Sequence, residues 1–332
     1  MSSSNCSSNT HIITSNKPGE EFGGKSVTDP RTALAIREVG PRDGFQSIPQ
    51  VIPTSGKIKI ITALLDSGIR QIQLTSFMNP TRVPQVADAP EICSHFTTDN
   101  SQSGGVLTRF DVLVPNMKGA IRAMQSGAPG LSFVLSVSET HNSANVNRST
   151  AESFSELREI RNQFPSTPVK LDISTAFQCP FEGEVPLSKV IDTIAAAREC
   201  GVTEMCICDT LGSAYPTQVK NYLLMILSDF SDIRFILHFH DTLGMGMANV
   251  LVALELGYRS FETSITGIGG CPFAPGAAGN IATEDLFYMA EHMGFNTGID
   301  FEKLLATSNL VREILPGSGS SHVADYYAMK KQ

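Results

Sequence analysis

At 332 residues the chain can bury a large core, and one domain of this length is reasonable for an α/β barrel. Its net charge of −8 argues against a nucleic-acid partner, because phosphate binding needs a basic surface. No apolar run approaches about 18 residues, so the sequence predicts no membrane span. The seven cysteines are scattered and odd in number, which favours a reducing compartment over a disulfide framework and makes a cytoplasmic location the expectation.

The N-terminal segment 1–30 is predicted to be a disordered arm, since it is rich in serine, asparagine and glycine and shows no periodicity. A transit peptide is the alternative, because the start is serine-rich and lacks acids. The absence of any arginine before Arg31 counts against that alternative. Residues 31–310 are predicted to form a catalytic barrel, and 311–332 a C-terminal helical tail.

From Arg31 onward a short apolar run rich in β-branched residues recurs, each followed by a polar loop and a helix-like stretch. The eight runs are ALAIREV (33–39), RQIQLTS (70–76), FDVLVP (110–115), LSFVLSVS (131–138), VKLDISTAF (169–177), EMCICDT (204–210), FILHFHD (235–241) and SFETSIT (260–266). Glycine sits just before the next run in SGIRQIQL, CGVTEMCI and LGYRSFET, where a helix C-cap belongs. Eight units without a boundary predict an α/β fold of the (β/α)8 TIM-barrel class. The alternative is an open doubly wound sheet, but the early G-x-G-x-x-G that such a fold often carries is missing.

Polar residues fall at the carboxyl ends of these strands, where the chemistry of such a barrel lies. Strand one runs into GPRDGFQ and strand four into SETHN, while strand eight opens onto a glycine-rich loop. Strand six ends at Asp209, and strand seven ends at His238 and His240. The agreement of several polar positions with the carboxyl ends of the strands is stronger evidence for an active site than any single motif.

The stretch LHFHDTLG (237–244) places two histidines on one strand. Residues i and i+2 project to the same face about 6.6 Å apart, so His238 and His240 point the same way and Asp241 the other. The pair suits a metal ion or a polar hydrogen-bonded pair, and its position at the strand's carboxyl end favours the metal.

In PRDG (41–44), Asp43 is either the Asx residue of a tight turn or a hard oxygen ligand, and Arg42 suits a substrate anion or a developing oxyanion. Asp209 has two similar interpretations, a hydrogen-bonding anchor or a carboxylate in the active site. If Asp209 faces the barrel interior, strand alternation sends Cys206 and Cys208 outward, where they would act as small apolar packing residues.

The loop GIGGCPFAPGAAGN (267–280) is rich in glycine. Gly269 and Gly270 permit close backbone approach and hinge motion, and Cys271 becomes a candidate reactive thiol. Asn280 is either a turn residue ahead of a helix beginning near Thr283 or a neutral oxygen ligand. Two imidazoles, a carboxylate and an amide oxygen suit Mg²⁺ or Mn²⁺ better than a structural zinc.

Several stretches together resemble the 3-hydroxy-3-methylglutaryl-CoA lyase family, from about residue 35 to near residue 305. They are EVGPRDGFQ, TSFMNPTRVPQVAD, CPFEGEV, CDTLG, HFHDTLGMGMANVLVALELG and GIGGCPFAPGAAGNIATEDL. The GGCP loop followed by GN-x-ATEDL is the most specific of them. The resemblance implies a metal-dependent (β/α)8 lyase that cleaves a 3-hydroxyacyl-CoA to acetyl-CoA and a keto acid such as acetoacetate, as in leucine degradation.

By position, the resemblance implies four metal ligands: Asp43, His238, His240 and Asn280. It makes Arg42 the residue that stabilises the enolate-like oxygen, Cys271 a participant in proton transfer, and Asp209 an acid, base or orienting carboxylate. Either Asp43 or a histidine of the site, His238 included, serves as the base. The substrate-binding candidates are Arg42, Gln73, Ser138 and Thr175, and the supporting residues are Gly269, Gly270 and Glu284. The implied partners are an acyl-CoA and a second copy of the chain.

The sequence departs from the family at three positions. Gln73 stands where the family usually has a glutamate, Pro49 where it has a lysine, and Lys170 where an arginine is usual. Glutamine can still hold Arg42 by a hydrogen bond but carries neither charge nor proton. The pattern favours a lyase with a changed substrate. The alternatives are another branched 3-hydroxyacyl-CoA, the same chemistry run as condensation, and a non-catalytic barrel that binds metal and acyl-CoA.

Overall fold

The computed structural model describes residues 32–98, 107–270 and 279–330. The predicted N-terminal arm and Cys271 lie outside these ranges. Ten strands are described: β1 (Ala35–Glu38), β2 (Gln71–Ser76), β3 (Arg109–Val114), β4 (Leu131–Ser136), β5 (Val169–Ser174), β6 (Gln178–Cys179), β7 (Gly183–Glu184), β8 (Glu204–Asp209), β9 (Arg234–Phe239) and β10 (Ser260–Thr263).

Eight of these strands close into a parallel barrel in the order β1-β10-β9-β8-β5-β4-β3-β2, which confirms the predicted (β/α)8 fold. The other two, β6 and β7, pair as a short antiparallel hairpin in the loop after β5. Each of the eight predicted runs overlaps one barrel strand, although β3 and β9 begin one residue before their runs and most strands end before the polar end of the run.

Helices surround the barrel. They are α1 (Phe45–Ser47), α2 (Thr54–Asp66), α3 (Ala89–Thr98), α4 (Met117–Gln125), α5 (Glu139–Val146), α6 (Thr150–Gln163), α7 (Leu187–Glu199), α8 (Pro216–Asp229), α9 (Gly246–Glu255), α10 (Thr283–His292), α11 (Phe301–Ile314) and α12 (His322–Lys330). Within the described ranges, no helix is long and apolar enough to cross a bilayer.

Local sequence signals explain where the helices begin and end. At the start of α6, Ser149 and Glu152 form a reciprocal capping box that satisfies free backbone N–H groups. The three glycines predicted to end helices, Gly68, Gly201 and Gly257, have φ of 100°, 76° and 97°. This left-handed conformation is one that glycine adopts without steric cost, so the helix C-cap prediction is confirmed.

The hydrophobic core lies between the strands and the helices, and the inside of the barrel is largely polar. Met205 and Ile207 belong to the outer core, whereas Cys206, Cys208 and Ile236 form a separate cluster. The sulfur of Cys206 lies within 4.8 Å of carboxylate oxygens of Asp172 and Glu262, so both cysteines face the barrel interior.

The prediction that Cys206 and Cys208 point outward is therefore wrong. It assumed that Asp209 faces the interior, but Asp209 has the opposite orientation to the cysteines. Its carboxylate accepts hydrogen bonds from the backbone N–H of Ser213 at 3.3 Å and of Ala214 at 3.1 Å, in the loop that follows β8. A polar residue at the end of a strand can bind the next turn instead of facing the barrel interior.

Candidate active site

Arg42 and Asp43 lie at the mouth of the barrel because β1 runs directly into a π-helical turn, Gly40–Gly44. The backbone N–H groups of both residues donate to the carbonyl of Val39, at 3.0 Å and 2.7 Å. Nη1 of Arg42 lies 2.5 Å from Oδ1 of Asp43. The turn therefore places a paired cation and carboxylate at the carboxyl end of the first strand.

The carboxylate of Asp43 lies beside both histidines of β9 and its following loop. One potential ligand atom from each of Asp43, His238 and His240 lies within 4.8 Å of the others. The two imidazole centroids are 4.9 Å apart, and both histidines are buried. The sequence-based expectation that these two imidazoles project to one face agrees with this geometry.

Asn280 reaches the same cluster from the last loop of the barrel. Its Nδ2 donates to Oδ2 of Asp43 at 2.8 Å and to the carbonyl of Ile268 at 3.1 Å. A backbone bridge joins it to His240, flanked by hydrogen bonds from Asp241 to Gly279 and from Ile281 to Phe239. The candidate ligands Asp43, His238, His240 and Asn280, which are distant in sequence, are thus brought together.

Two buried atoms of this cluster are without a hydrogen-bond partner among the described residues: Oδ1 of Asn280 and Nδ1 of His240. Buried polar atoms are rarely left unpaired, so a cluster with two of them fits a missing cation. Amide oxygen, carboxylate oxygen and imidazole nitrogen are suitable donors for Mg²⁺ or Mn²⁺. The residues present therefore fit a divalent metal ion.

The electrostatics of the cluster also suit metal binding. Burial alone would raise the pKa of Asp43, but the positive charge of Arg42 and the hydrogen bond with His240 outweigh it and hold this pKa well below its usual range. Burial lowers the pKa of His240, against the raising effect of Asp43. The carboxylate is therefore ionised and the imidazole neutral at neutral pH, the forms that bind metals.

Gly269 is required where the last loop approaches the cluster. Its φ is 147°, and a Cβ at this position would lie 2.2 Å from Nδ2 of Asn280 and 3.4 Å from Oδ2 of Asp43. The predicted close approach is thus present at Gly269, while a Cβ on Gly270 would meet only Ser47 at 3.8 Å. The thiol of Cys271 follows directly but lies outside the described residues.

The remaining predicted site residues lie around the mouth with other partners. Ser138 caps the N-terminus of α5, and its hydroxyl donates to Glu182 at 2.6 Å. Thr175 has a left-handed backbone with φ of 55°, and its backbone N–H donates to the hydroxyl of Thr210 at 2.7 Å. Glu284 accepts hydrogen bonds from the N–H of Thr266 at 3.0 Å and the hydroxyl of Ser308 at 2.6 Å. Glu284 thereby holds the start of the last loop.

Three buried acids next to the site were not identified from the sequence. Glu262 on β10 lies 3.1 Å from Nδ1 of His238, and its carboxylate also pairs with Lys170. Glu38 accepts hydrogen bonds from the N–H of Gly40 at 2.7 Å and of Ile265 at 2.9 Å, joining the first loop to the last. The third acid, Asp111, lies against Gln73. A charge within an otherwise apolar strand, as in RFDVLV or SFETS, is the signal that could have found Asp111 and Glu262.

Comparison with known proteins agrees with this architecture. The HMGL-like family model matches residues 33–311. The chain belongs to the HMGL-like family. It is 39% identical over 282 residues to the hydroxymethylglutaryl-CoA lyase of Bacillus subtilis, covering 84% of this chain and 92% of that protein. It is 38% identical to the mitochondrial hydroxymethylglutaryl-CoA lyase of Rattus norvegicus over 88% of each chain.

Solved structures of this family have the same fold. The Bacillus subtilis HMG-CoA lyase superposes with a TM-score of 0.84 at 37% identity, covering 90% of this chain and 98% of that one. An HMG-CoA lyase from Acinetobacter baumannii, solved in complex with coenzyme A and 3-methylmalate, gives 0.82 at 38% identity over 90% and 96%. Relatives of this similarity along nearly their whole length make the chain a carbon–carbon lyase.

Proposed function

We propose that the protein cleaves 3-hydroxy-3-methylglutaryl-CoA, or a closely related branched 3-hydroxyacyl-CoA, to acetyl-CoA and a keto acid by a retro-Claisen step, with Mg²⁺ or Mn²⁺ as cofactor. The observation that carries this proposal is the convergence of Asp43, His238, His240 and Asn280 beside Arg42 at the barrel mouth. The coenzyme A in the Acinetobacter baumannii structure supports an acyl-CoA substrate.

Asp43, His238, His240 and Oδ1 of Asn280 would hold the cation. A divalent ion bound there lowers the pKa of a coordinated hydroxyl and orients a neighbouring carboxylate. Nδ2 of Asn280 donates to Asp43 and Ile268, and its Oδ1, which has no hydrogen-bond partner among the described residues, is the atom that would bind the cation.

The first proton transfer needs a base, and the candidates are Asp43 and a histidine of the site. Arg42 keeps the pKa of Asp43 well below its usual range, which makes this carboxylate a weak base. Burial lowers the pKa of His240, which keeps this imidazole in the neutral form that binds a cation. Removal of the proton from the 3-hydroxyl allows the C2–C3 bond to break, leaving an enolate of the thioester.

Arg42 is placed to offset the charge that develops on the thioester oxygen. Of the five N–H donors of a guanidinium, Nε donates to Oε1 of Gln73 and Nη1 to Asp43, so other N–H donors can face a substrate. Fixed donors of this kind are worth most where charge develops in the transition state. Protonation of the enolate carbon then yields acetyl-CoA, and Cys271 is the proposed donor.

The test is to incubate the purified protein with Mn²⁺ or Mg²⁺ and 3-hydroxy-3-methylglutaryl-CoA, and to measure acetyl-CoA and acetoacetate. Metal-dependent release that is lost in Asp43→Ala would support the proposal. Binding of metal and acyl-CoA without release, for several branched 3-hydroxyacyl-CoA substrates, would favour the non-catalytic alternative. Net synthesis from acetyl-CoA and a keto acid would favour condensation. Cytoplasmic location and a homodimer stay predictions.

A further inference from the structure

Gln73 lies between the active-site arginine and a buried acid of the neighbouring strand. Its Oε1 accepts a hydrogen bond from Nε of Arg42, and its Nε2 donates to Oδ2 of Asp111 at 3.1 Å. Gln73 is fully buried and Asp111 is 4% exposed, so solvent cannot replace either hydrogen bond. The side-chain amide of Gln73 therefore links the carboxylate of Asp111 to the guanidinium of Arg42.

The hydrogen bond to Asp111 decides which end of the amide faces Arg42. The two ends of a glutamine amide have nearly the same shape, but one is an acceptor and the other a donor. An ionised carboxylate only accepts hydrogen bonds, so it binds the NH₂ group and leaves the oxygen for the guanidinium. In an Asp111→Asn variant, Arg37 would attract the amide oxygen of residue 111 and leave its NH₂ facing Gln73. The amide of Gln73 would then turn its own NH₂ toward Arg42, where donor would meet donor.

Asp111 is itself held in place from two sides. It is the register partner of Gln73 across the β2–β3 pair, which fixes the backbone separation of the two side chains. Its Oδ1 lies 3.6 Å from Nη2 of Arg37, and Nη1 of the same arginine lies 3.0 Å from Glu204. The carboxylate is thus anchored to the ion pairs deeper in the barrel.

We propose that Asp111 is a positioning residue for the lyase reaction: it orients the amide of Gln73, and that amide holds the guanidinium of Arg42 toward the developing enolate oxygen. The inference rests on the proposed function. The resemblance to the family predicts a glutamate at position 73, where this chain has a glutamine. The carboxylate beside Gln73 belongs to Asp111 on the neighbouring strand and acts through the amide.

The test is a cycle of three variants: Asp111→Asn, Gln73→Glu and the double variant that carries both. Asp111→Asn lowers kcat about 10- to 100-fold and leaves KM nearly unchanged, because Arg42 acts on charge present only in the transition state. Gln73→Glu alone puts two carboxylates side by side in the interior, which lowers Tm and kcat. The double variant returns the single carboxylate to position 73 and restores both.

A matched control is Asp88→Asn, which removes a carboxylate paired with Lys57 at 2.7 Å between the outer helices. It leaves kcat unchanged. A double variant that is worse than both single variants in kcat and Tm would overturn the inference, as would an Asp111→Asn effect confined to KM. Absence of turnover by the wild-type enzyme would instead refute the proposed function, and the Tm values of the cycle would still decide whether Asp111 and Gln73 are coupled.

Discussion

Both ends of the barrel interior contain buried polar and charged side chains, but the two ends differ in how far these side chains are paired. At the amino end, Glu204 is surrounded by nitrogens of three arginines, at 3.0 Å from Arg37, 2.8 Å from Arg109 and 3.3 Å from Arg234. At the carboxyl end, Oδ1 of Asn280 and Nδ1 of His240 are buried and have no hydrogen-bond partner among the described residues. The charges at the amino end compensate one another, although Nε of Arg37 has no hydrogen-bond partner among the described residues, whereas the open groups at the carboxyl end surround the proposed cation site.

This difference indicates that stability and function depend on opposite ends of the same barrel. Ion pairs that satisfy one another contribute to a unique packing of the interior, and removing one member leaves an uncompensated buried charge. Polar groups that lack partners cost free energy in the folded state until a ligand satisfies them. We therefore expect substitutions at the amino end to affect folding, and those at the carboxyl end to affect binding and turnover.

The largest effect is expected for Asp43→Asn, which removes the carboxylate of the proposed metal site and the partner of Arg42. We expect kcat to fall by at least about 1,000-fold, because metal binding and oxyanion stabilisation are lost together. Titration with Mn²⁺ measured by electron paramagnetic resonance should show weakened binding. Full metal affinity in this variant would remove Asp43 from the ligand set.

Glu204→Gln tests the other end. Arg37, which is 1% exposed, would lose its closest counter-charge, and the free energy of unfolding should fall by about 3 kcal/mol. Denaturant titration measures this loss. Below the unfolding transition the metal affinity should equal that of the wild type, and a matching loss of metal affinity would show that the two ends are not independent.

Glu262→Gln should weaken metal binding about 10- to 100-fold, because a carboxylate on the second nitrogen of a metal-binding imidazole fixes its orientation and raises its basicity. Burial would raise the pKa of Glu262, but Lys170 and His238 hold it well below its usual range, so the charged form contacts Nδ1 of His238. Calorimetric titration with Mn²⁺ provides the measurement, with Glu204→Gln as the matched control. Equal affinities in the two variants would contradict the orienting role.

The smallest effect is on the pH dependence of stability. Burial raises the pKa of Glu38 and Glu284 to about 7, from a usual value of 4.5. Both carboxyls keep their protons to higher pH in the folded state, so the free energy of unfolding should decrease as the pH rises from 4.5 to about 7. Glu284→Gln should flatten this decrease in urea titrations at successive pH values. Parallel curves for variant and wild type would show that Glu284 does not titrate in this range.

The sequence predicted the fold because the signals were local: each strand is an apolar run, and glycines end the helices before them. It also placed Asp43, His238, His240 and Asn280 at one mouth, since the carboxyl ends of parallel strands share one edge. The interior network could not be predicted in this way. Arg37 and Glu204 are 167 positions apart, and their contact depends on barrel closure and strand register. The error at Cys206 and Cys208 has a related cause, because one side chain at a strand end, Asp209, was used to orient the whole strand.

Because a backbone bridge joins His240 to Asn280, the geometry of the proposed metal site does not depend on the length of the last loop. Because the segment 279–281 is hydrogen-bonded to the end of β9, Asn280 keeps its place next to His240 whatever connects position 270 to position 279. Each doubling of loop length costs only about 0.6 kcal/mol in closure entropy. A change in the number of residues between positions 270 and 279 should therefore leave Asn280 in register with His240.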